Sequence, residues 1–472
     1  MGTLRLGTLG LSLVLLQGCY LHHESGTGRE PVEALPTPDA GPRRDVGVAP
    51  RGDAGWEPIW DAGPEPVADA GPPLPAEPDP DLGPDARPSD YPEADEWLDP
   101  PATGEDEACC ELGEPILVTS RDEGTALSHD PPRIAWGPGR WGLLVTRQFS
   151  RPDFEYEPRA IVFELSADGR PLGPPRVLDR ITDYAESIRW AEGRWAVAVT
   201  GDGAGGSLRQ IYARLFDRDL RPASEWASLG IGERRLVDLA RLSHGDRWLG
   251  ILGGEGHLRV SPFHDLGTDP SVEHASVTPS TLRAVGLRSR VAVLVGQDEE
   301  GSARNELVVL GSGPGYAPLG RVALATRYRD HAALAALRDL VIAAGIEGGQ
   351  ARVEVIDPFD VTLVAGPRTL GAAAGSIESS SDAVGAAGSS KLGVAGVCYG
   401  VGMGTEPRDM ERGIDFRLVG LDGAPRGRAV RIVDSHFRAG LVNCAVGSDD
   451  LGFLVGWWDG SALWVRRVLV TR

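Results

Sequence analysis

A short unit recurs along this chain: an apolar run, a tight glycine-containing turn and a second apolar run. It is plainest in Arg133-Ile134-Ala135-Trp136-Gly137-Pro138-Gly139-Arg140-Trp141 and in Ser187-Ile188-Arg189-Trp190-Ala191-Glu192-Gly193-Arg194-Trp195. A third copy runs from Val237-Asp238-Leu239-Ala240 to Asp246-Arg247-Trp248, and weaker copies centre on Val291, Leu340, Leu392 and Leu451. Successive anchors lie 54, 53, 43, 49, 52 and 59 residues apart. A unit this small cannot bury its own apolar faces, so seven copies must stack on one another.

Each anchor opens a fully apolar strand, such as Trp195 to Thr200. An alternating strand follows, as in Arg209 to Phe216, and then a shorter one, as in Gly173 to Leu178. The apolar runs suit strands buried on both faces, and the alternating run suits a half-solvated strand. Four antiparallel strands per unit define an all-β, seven-bladed β-propeller; six or eight blades also fit, because the middle copies are degenerate. The seventh unit reaches only its third strand, Ala462 to Val470, whereas Gly113 to Val118 reads as a fourth strand ahead of the first unit. We therefore expect this N-terminal strand to pair with the last blade and remove an open sheet edge.

Charge separates the repeats from what precedes them. The 472 residues carry a formal charge of -21, and residues 20 to 107 hold 22 acidic against 5 basic side chains and 18 of the 37 prolines. Such composition cannot offset the entropy of ordering, so it reads as an extended, disordered tether. Asp-Ala-Gly recurs in it at Asp39, Asp53, Asp61 and Asp69, too sparsely for a calcium loop. Trp56, Trp60 and Trp97 are unusual in a tether and suit docking on another surface. The acidic balance argues against nucleic acid as a partner.

Residues 1–18 read as an export signal, with Arg5 before the apolar run Leu6 to Leu16, too short to span a bilayer. Leu16-Gln17-Gly18-Cys19 resembles the lipobox of bacterial lipoproteins, apart from Gln17 in place of a small residue. The resemblance implies cleavage before Cys19 and acylation of its sulfur and amino group, which anchors the chain to a membrane. Tyr20 after the cysteine implies the outer membrane by the bacterial sorting pattern. Together with the Asp-Ala-Gly tether and a single lysine, Lys391, this resembles lipoproteins of myxobacteria-like organisms. The expected organisation is a signal over 1–18, a tether over 19–108 and a propeller over 109–472. The last part resembles the propeller domains of exported bacterial lipoproteins, without the sequence boxes of any enzyme subfamily.

Candidate chemistry is sparse. An exported compartment permits disulfides among Cys109, Cys110, Cys398 and Cys444. Cys398 falls in the second strand of blade six and Cys444 in the first of blade seven. Pairing of these two beside a Cys109–Cys110 bridge, cross-pairing that staples the closing strand, and four free thiols all stay open. Zinc is disfavoured, since adjacent cysteines lack the spacing that wraps one ion. The loops entering the innermost strands carry His129 and Asp130, Glu186, Asp238, His331 and His436, a ring of groups suited to a ligand in a central funnel. No phosphate loop or nucleophile elbow is present, and no cofactor is implied. The expected role is a monomeric, lipid-anchored, non-catalytic protein whose loops bind a protein or glycan. The alternative is an exported hydrolase or lyase acting in the funnel.

Overall fold

The computed structural model describes most of residues 86–472. Outside the description lie residues 1–85 and 91, 102–103, 105–106, 121–124, 128–130, 151–155, 182–183, 202–207, 234–235, 243–246, 255, 277–278, 298–303, 327–331, 374–383, 404–410, 436–442, 460 and 472. The signal, Cys19, Trp56, Trp60 and most of the expected tether fall outside it.

Seven antiparallel sheets follow one another along the chain. Their innermost strands are Arg133–Trp136, Tyr184–Ala191, Val237–Leu242, Thr281–Leu287, Ala332–Leu337, Val384–Ser389 and Cys444–Ser448. Each touches the next, and Cys444–Ser448 returns to Arg133–Trp136, so the sheets close a ring about one axis. This is the seven-bladed propeller that the repeats imply. The anchors of the first five blades, through Leu340, fall in the second strands. Leu392 and Leu451 fall instead in the turns preceding Val394–Met403 and Gly452–Trp458. Trp457 and Trp458 are both buried and belong to the core.

Apolar second and third strands fill the space between blades. Trp141, Trp195 and Trp457 are among the largest fully buried side chains. A buried indole needs a partner for its N–H. Trp141 Nε1 donates to the Ala167 carbonyl at 3.2 Å and Trp195 Nε1 to that of Arg218 at 3.4 Å, each in the outer turn of its own blade. The repeated tryptophan thus fills the core and fastens the turn above it.

Closure occurs as expected, through a longer ladder. Ala462–Val470, the third strand of the last blade, pairs with Ile116–Ser120 and also with Cys110–Leu112. Across the seam between last and first blades, Arg467 lies 5.2 Å from the Trp141 ring centroid while its guanidinium grips buried Asp449. Ile116 and Val118 pack into the apolar cluster that these two blades share.

The ordered body begins before residue 109. Within the stretch expected as tether, Pro88–Asp90 and Pro92–Glu96 form 3-10 turns that lie against the ring. Ser289 Oγ donates to the Ala86 carbonyl at 2.9 Å, and Arg87 pairs with Asp357 at 2.9 Å and Asp360 at 3.0 Å. The Ser89 amide donates to Asp339, and Leu98 N donates to the Lys391 carbonyl, both at 2.8 Å. Arg338 sits 5.0 Å from the Trp97 ring centroid and donates to the Leu98 carbonyl. Trp97 therefore docks on the turns between the first two strands of blades five and six, and a strap of chain crosses that face from blade four to blade six. Burial raises the Asp357 carboxyl, but the bond from Arg87 and two backbone N–H groups outweigh it and hold the group below its ordinary range.

Cys398 and Cys444 form a disulfide joining blades six and seven, with Cα atoms 6.4 Å apart. Cys109 and Cys110 are thiols. Cys109 lies fully buried beside the Arg428 carbonyl, at 3.8 Å. A hydrogen bond to Cys109, together with burial, pushes the Cys110 thiol up and keeps it protonated.

Two expectations follow. Deleting residues 109–120 strips both partners from Ala462–Val470 and exposes an apolar edge; calorimetry should show a melting temperature lower by roughly 10 °C. A parent-like melt would mean that closure contributes little. Replacing Cys398 and Cys444 by Ala frees a 46-residue separation in the unfolded chain and should cost about 4 kcal/mol in denaturant titrations. Under denaturing, non-reducing conditions, maleimide should label Cys109 and Cys110 and spare the other two.

Candidate functional site

Two of the expected funnel residues, Glu186 and Asp238, lie within the innermost strands Tyr184–Ala191 and Val237–Leu242 and not in the loops entering them, and the strands bring the two together. Glu186 and Asp238, both buried, line a cavity of about 80 Å³ in the central channel, with Arg133, Arg189 and Arg283. His129, Asp130, His331 and His436 lie outside the described residues. A space of this size accommodates a few waters rather than a substrate.

Asp238 serves as a clamp across three blades. It accepts from Ser187 Oγ at 2.7 Å and Arg189 Nη2 at 3.0 Å on blade two. It also accepts from its neighbour Leu239 N at 2.8 Å and from Ala284 N on blade four at 3.0 Å. Arg189 adds bonds to the Leu239 and Ala284 carbonyls, both at 3.3 Å. Arg133 of blade one donates to the Glu186 carbonyl at 2.8 Å. Burial raises the Asp238 carboxyl, but Arg189, the Ala284 N–H, Ser187 and Arg283 more than offset it, and the group sits below its ordinary range. It is held as an anion and engaged by its neighbours, a state that suits support of the channel rather than proton transfer.

A larger space opens at the other end of the channel, on the side of the turns between first and second strands. It measures about 430 Å³, the size range of small-ligand pockets. Strand register explains its shape. Trp136, Trp190 and Arg241 face Trp141, Trp195 and Trp248 across their hairpins, at equivalent positions in blades one to three. The same position holds Gly286, Ala336, Gly388 and Gly447 in blades four to seven. One wall is thus bulky and the opposite wall small. The glycines are there because neighbouring strands approach closely: a Cβ at Gly286 would come within 2.0 Å of the Arg241 carbonyl oxygen, and one at Gly388 within 1.9 Å of that of Ala336.

Trp136 and Trp190 are half-buried, packed on Trp141 and Trp195 with ring centroids 4.6 and 4.9 Å apart. Arg189, Arg241 and Arg288 line the mouth, and no carboxylate does among the described residues. The acids paired with Arg189 and Arg241, Asp238 and Glu192, stand outside the lining. An open groove of about 640 Å³ shares Ala191, Arg241 and Trp248 with the mouth and is lined further by Arg194, Arg247 and His264 and by the carboxylates Glu192, Asp265 and Asp269. The sequence marks Trp136 and Trp190 as repeat anchors; their equivalence to Arg241 emerges only from the pairing.

No family model matches the chain, and no curated protein does. Among solved structures, the Dos1 propeller is similar at 10% identity over 76% of this chain and 95% of its own, with a TM-score of 0.43. The WD40 domain of Toxoplasma gondii coronin is similar at 11% identity over 78% and 89%, with a TM-score of 0.44. The phage phi92 endosialidase is similar at 9% identity over 76% and 69%, with a TM-score of 0.45. Likenesses this distant carry no argument about activity. The ring rests on its own strand pairing.

Replacing Asp238 by Ala leaves Arg189 and two buried amides without their acceptor and should cost about 3–5 kcal/mol in chemical denaturation. Because the folded carboxyl lies below its unfolded value, its contribution is full above about pH 4 and is lost as pH falls through the folded value. Asp238→Asn should therefore show a shallower loss of stability than the parent below about pH 4; parallel acid limbs would refute the clamp.

Proposed function

We propose that this protein is a lipid-anchored envelope protein whose ring binds a protein or glycan ligand without transforming it. The observation that carries the binding reading is the engagement of Asp238. The channel carboxylate is bonded to Ser187, Arg189, Leu239 and Ala284, so it holds blades together instead of meeting a substrate. A ring fixed in this way offers a rigid frame, and rigid frames suit recognition by the residues at their rims.

The anchor reading rests on Leu16-Gln17-Gly18-Cys19 and the apolar run before it. Acyl chains on Cys19 would hold the chain in the outer membrane, and the acidic, proline-rich stretch that follows would carry the ring away from the lipid surface. The ring would act as a monomer, with the membrane as one partner and its ligand as the other.

Replacing Cys19 by Ser should move the protein from the membrane fraction to the soluble fraction; unchanged fractionation would remove the anchor. The released full-length variant is then the bait for envelope extracts and a glycan array. Saturable capture of one protein or glycan class supports the binding role. Turnover of a captured molecule would replace it with an enzymatic one.

A further inference from the structure

Cys109 and Cys110 stand where the closing ladder begins. Cys110 is the first residue of the strand Cys110–Leu112, opposite Val470, and the Cys109 carbonyl accepts from Thr471 N at 2.9 Å. On the other side, the Arg428 amide donates to the Glu107 carbonyl at 2.8 Å, and the Cys109 sulfur lies 3.8 Å from the Arg428 carbonyl oxygen. The pair therefore joins Ala462–Val470 of blade seven to Pro425–Ser435, the outer strand of blade six. A niche is built for Cys109: Gly427 has φ at 73°, and a Cβ there would come within 2.3 Å of the Cys109 Cβ.

Successive side chains of a strand point to opposite faces, but Cys109 stands ahead of the ladder and its sulfur meets that of Cys110. A hydrogen bond from Cys110 lowers the Cys109 thiol against the effect of burial, with help from Arg417 and Arg428. Cys109 is fully buried and Cys110 is half-buried, so a reagent reaches Cys110 first. Two thiols in contact, one reachable and one shielded, suit the roles of attacking and resolving cysteine.

We propose that Cys109 and Cys110 are a modification site for a low-molecular-weight disulfide, and that the bridge it installs loosens the closing ladder. Cys110 loses its proton and its sulfur attacks the S–S bond of the oxidant, which gives a mixed disulfide and releases one thiolate. Cys109 then loses its proton and attacks the Cys110 sulfur, forming the Cys109–Cys110 bond and expelling the second thiolate. The two protons end on the two departing thiolates. The chain is oxidised by two electrons, and one external disulfide is reduced to two thiols. Bond formation draws the sulfurs from hydrogen-bond contact to about 2 Å. The covalent loop contains the Cys109–Cys110 peptide unit, so its closure turns the carbonyl that Thr471 N holds and lifts the Cys109 sulfur from its niche. The Cys398–Cys444 disulfide keeps the same two blades joined in either state, so oxidation acts on the closing strand alone. The binding role proposed above neither requires this chemistry nor falls with it.

The full-length Cys19→Ser chain, whose remaining cysteines are Cys109, Cys110, Cys398 and Cys444, is equilibrated with glutathione at rising ratios of oxidised to reduced form. It is then denatured and alkylated with iodoacetamide. Peptide masses should show a Cys109–Cys110 bridge, no lasting glutathione adduct and an intact Cys398–Cys444 pair, with alkylation of Cys109 and Cys110 reduced at least about tenfold. The oxidised chain should melt about 2 °C or more below the reduced one, and excess reduced glutathione should restore the melt. Cys109→Ala should stop at a glutathione mixed disulfide on Cys110. Cys110→Ser should keep one melting temperature at every ratio; should Cys109→Ala fail to fold, Cys110→Ser decides. Full alkylation of Cys109 and Cys110 at the most oxidising ratio, a lasting adduct on the parent, exchange into Cys398 or Cys444, or an oxidised chain that melts like the reduced one would each overturn the proposal.

Discussion

The pairing of Ile116–Ser120 and Cys110–Leu112 onto Ala462–Val470 is the contact on which the rest of the molecule depends. Six blades are complete within consecutive sequence, and the seventh is assembled from both extremities of the folded body. Without the N-terminal strands the last sheet would end in an unpaired edge. With them, the apolar cluster between last and first blades is covered by Ile116 and Val118. The N-terminal strands thus complete the last sheet and the seam beside it.

Three further ties reinforce this closure. Near the axis, Asp238 joins the inner strands of blades two, three and four. Also near the axis, on the far side, the Cys398–Cys444 disulfide joins blades six and seven. At the seam, Arg467 bonds Asp449 and covers the Trp141 ring. Each tie crosses a boundary between blades, where only side chains hold the sheets together. Polar and covalent links at these boundaries set the relative position of neighbouring blades, which apolar packing alone leaves loosely specified.

Much of the architecture was legible because a propeller writes its period into the chain. The Trp-to-Trp spacing of the first blades and the unfinished seventh unit were enough to expect seven sheets and a closing strand. Cys398–Cys444 was legible as one alternative among several, since adjacent blades bring the two positions together. The strap was hidden by composition: Ala86 to Leu98 has the prolines and acids of a tether, and only Trp97 hinted at docking. The mouth was hidden for a different reason. Trp136 and Trp190 look like repeat anchors, and nothing local marks Arg241, Gly286 or Gly388 as their counterparts until the hairpin register aligns them. Asp238 was visible as a carboxylate at the head of an apolar run, but its four donors come from three blades and leave no trace in local sequence.

The strap has a mechanical consequence. A pull on the chain upstream of Ala86 does not reach the closing strand directly. It must first detach the Ala86 carbonyl from Ser289, then Arg87 from Asp357 and Asp360, then Leu98 from Lys391 and Arg338. These contacts lie in series ahead of the Cys110–Leu112 ladder, so tension is shed into three successive turns of the ring before any of it loads the joint that keeps the circle shut.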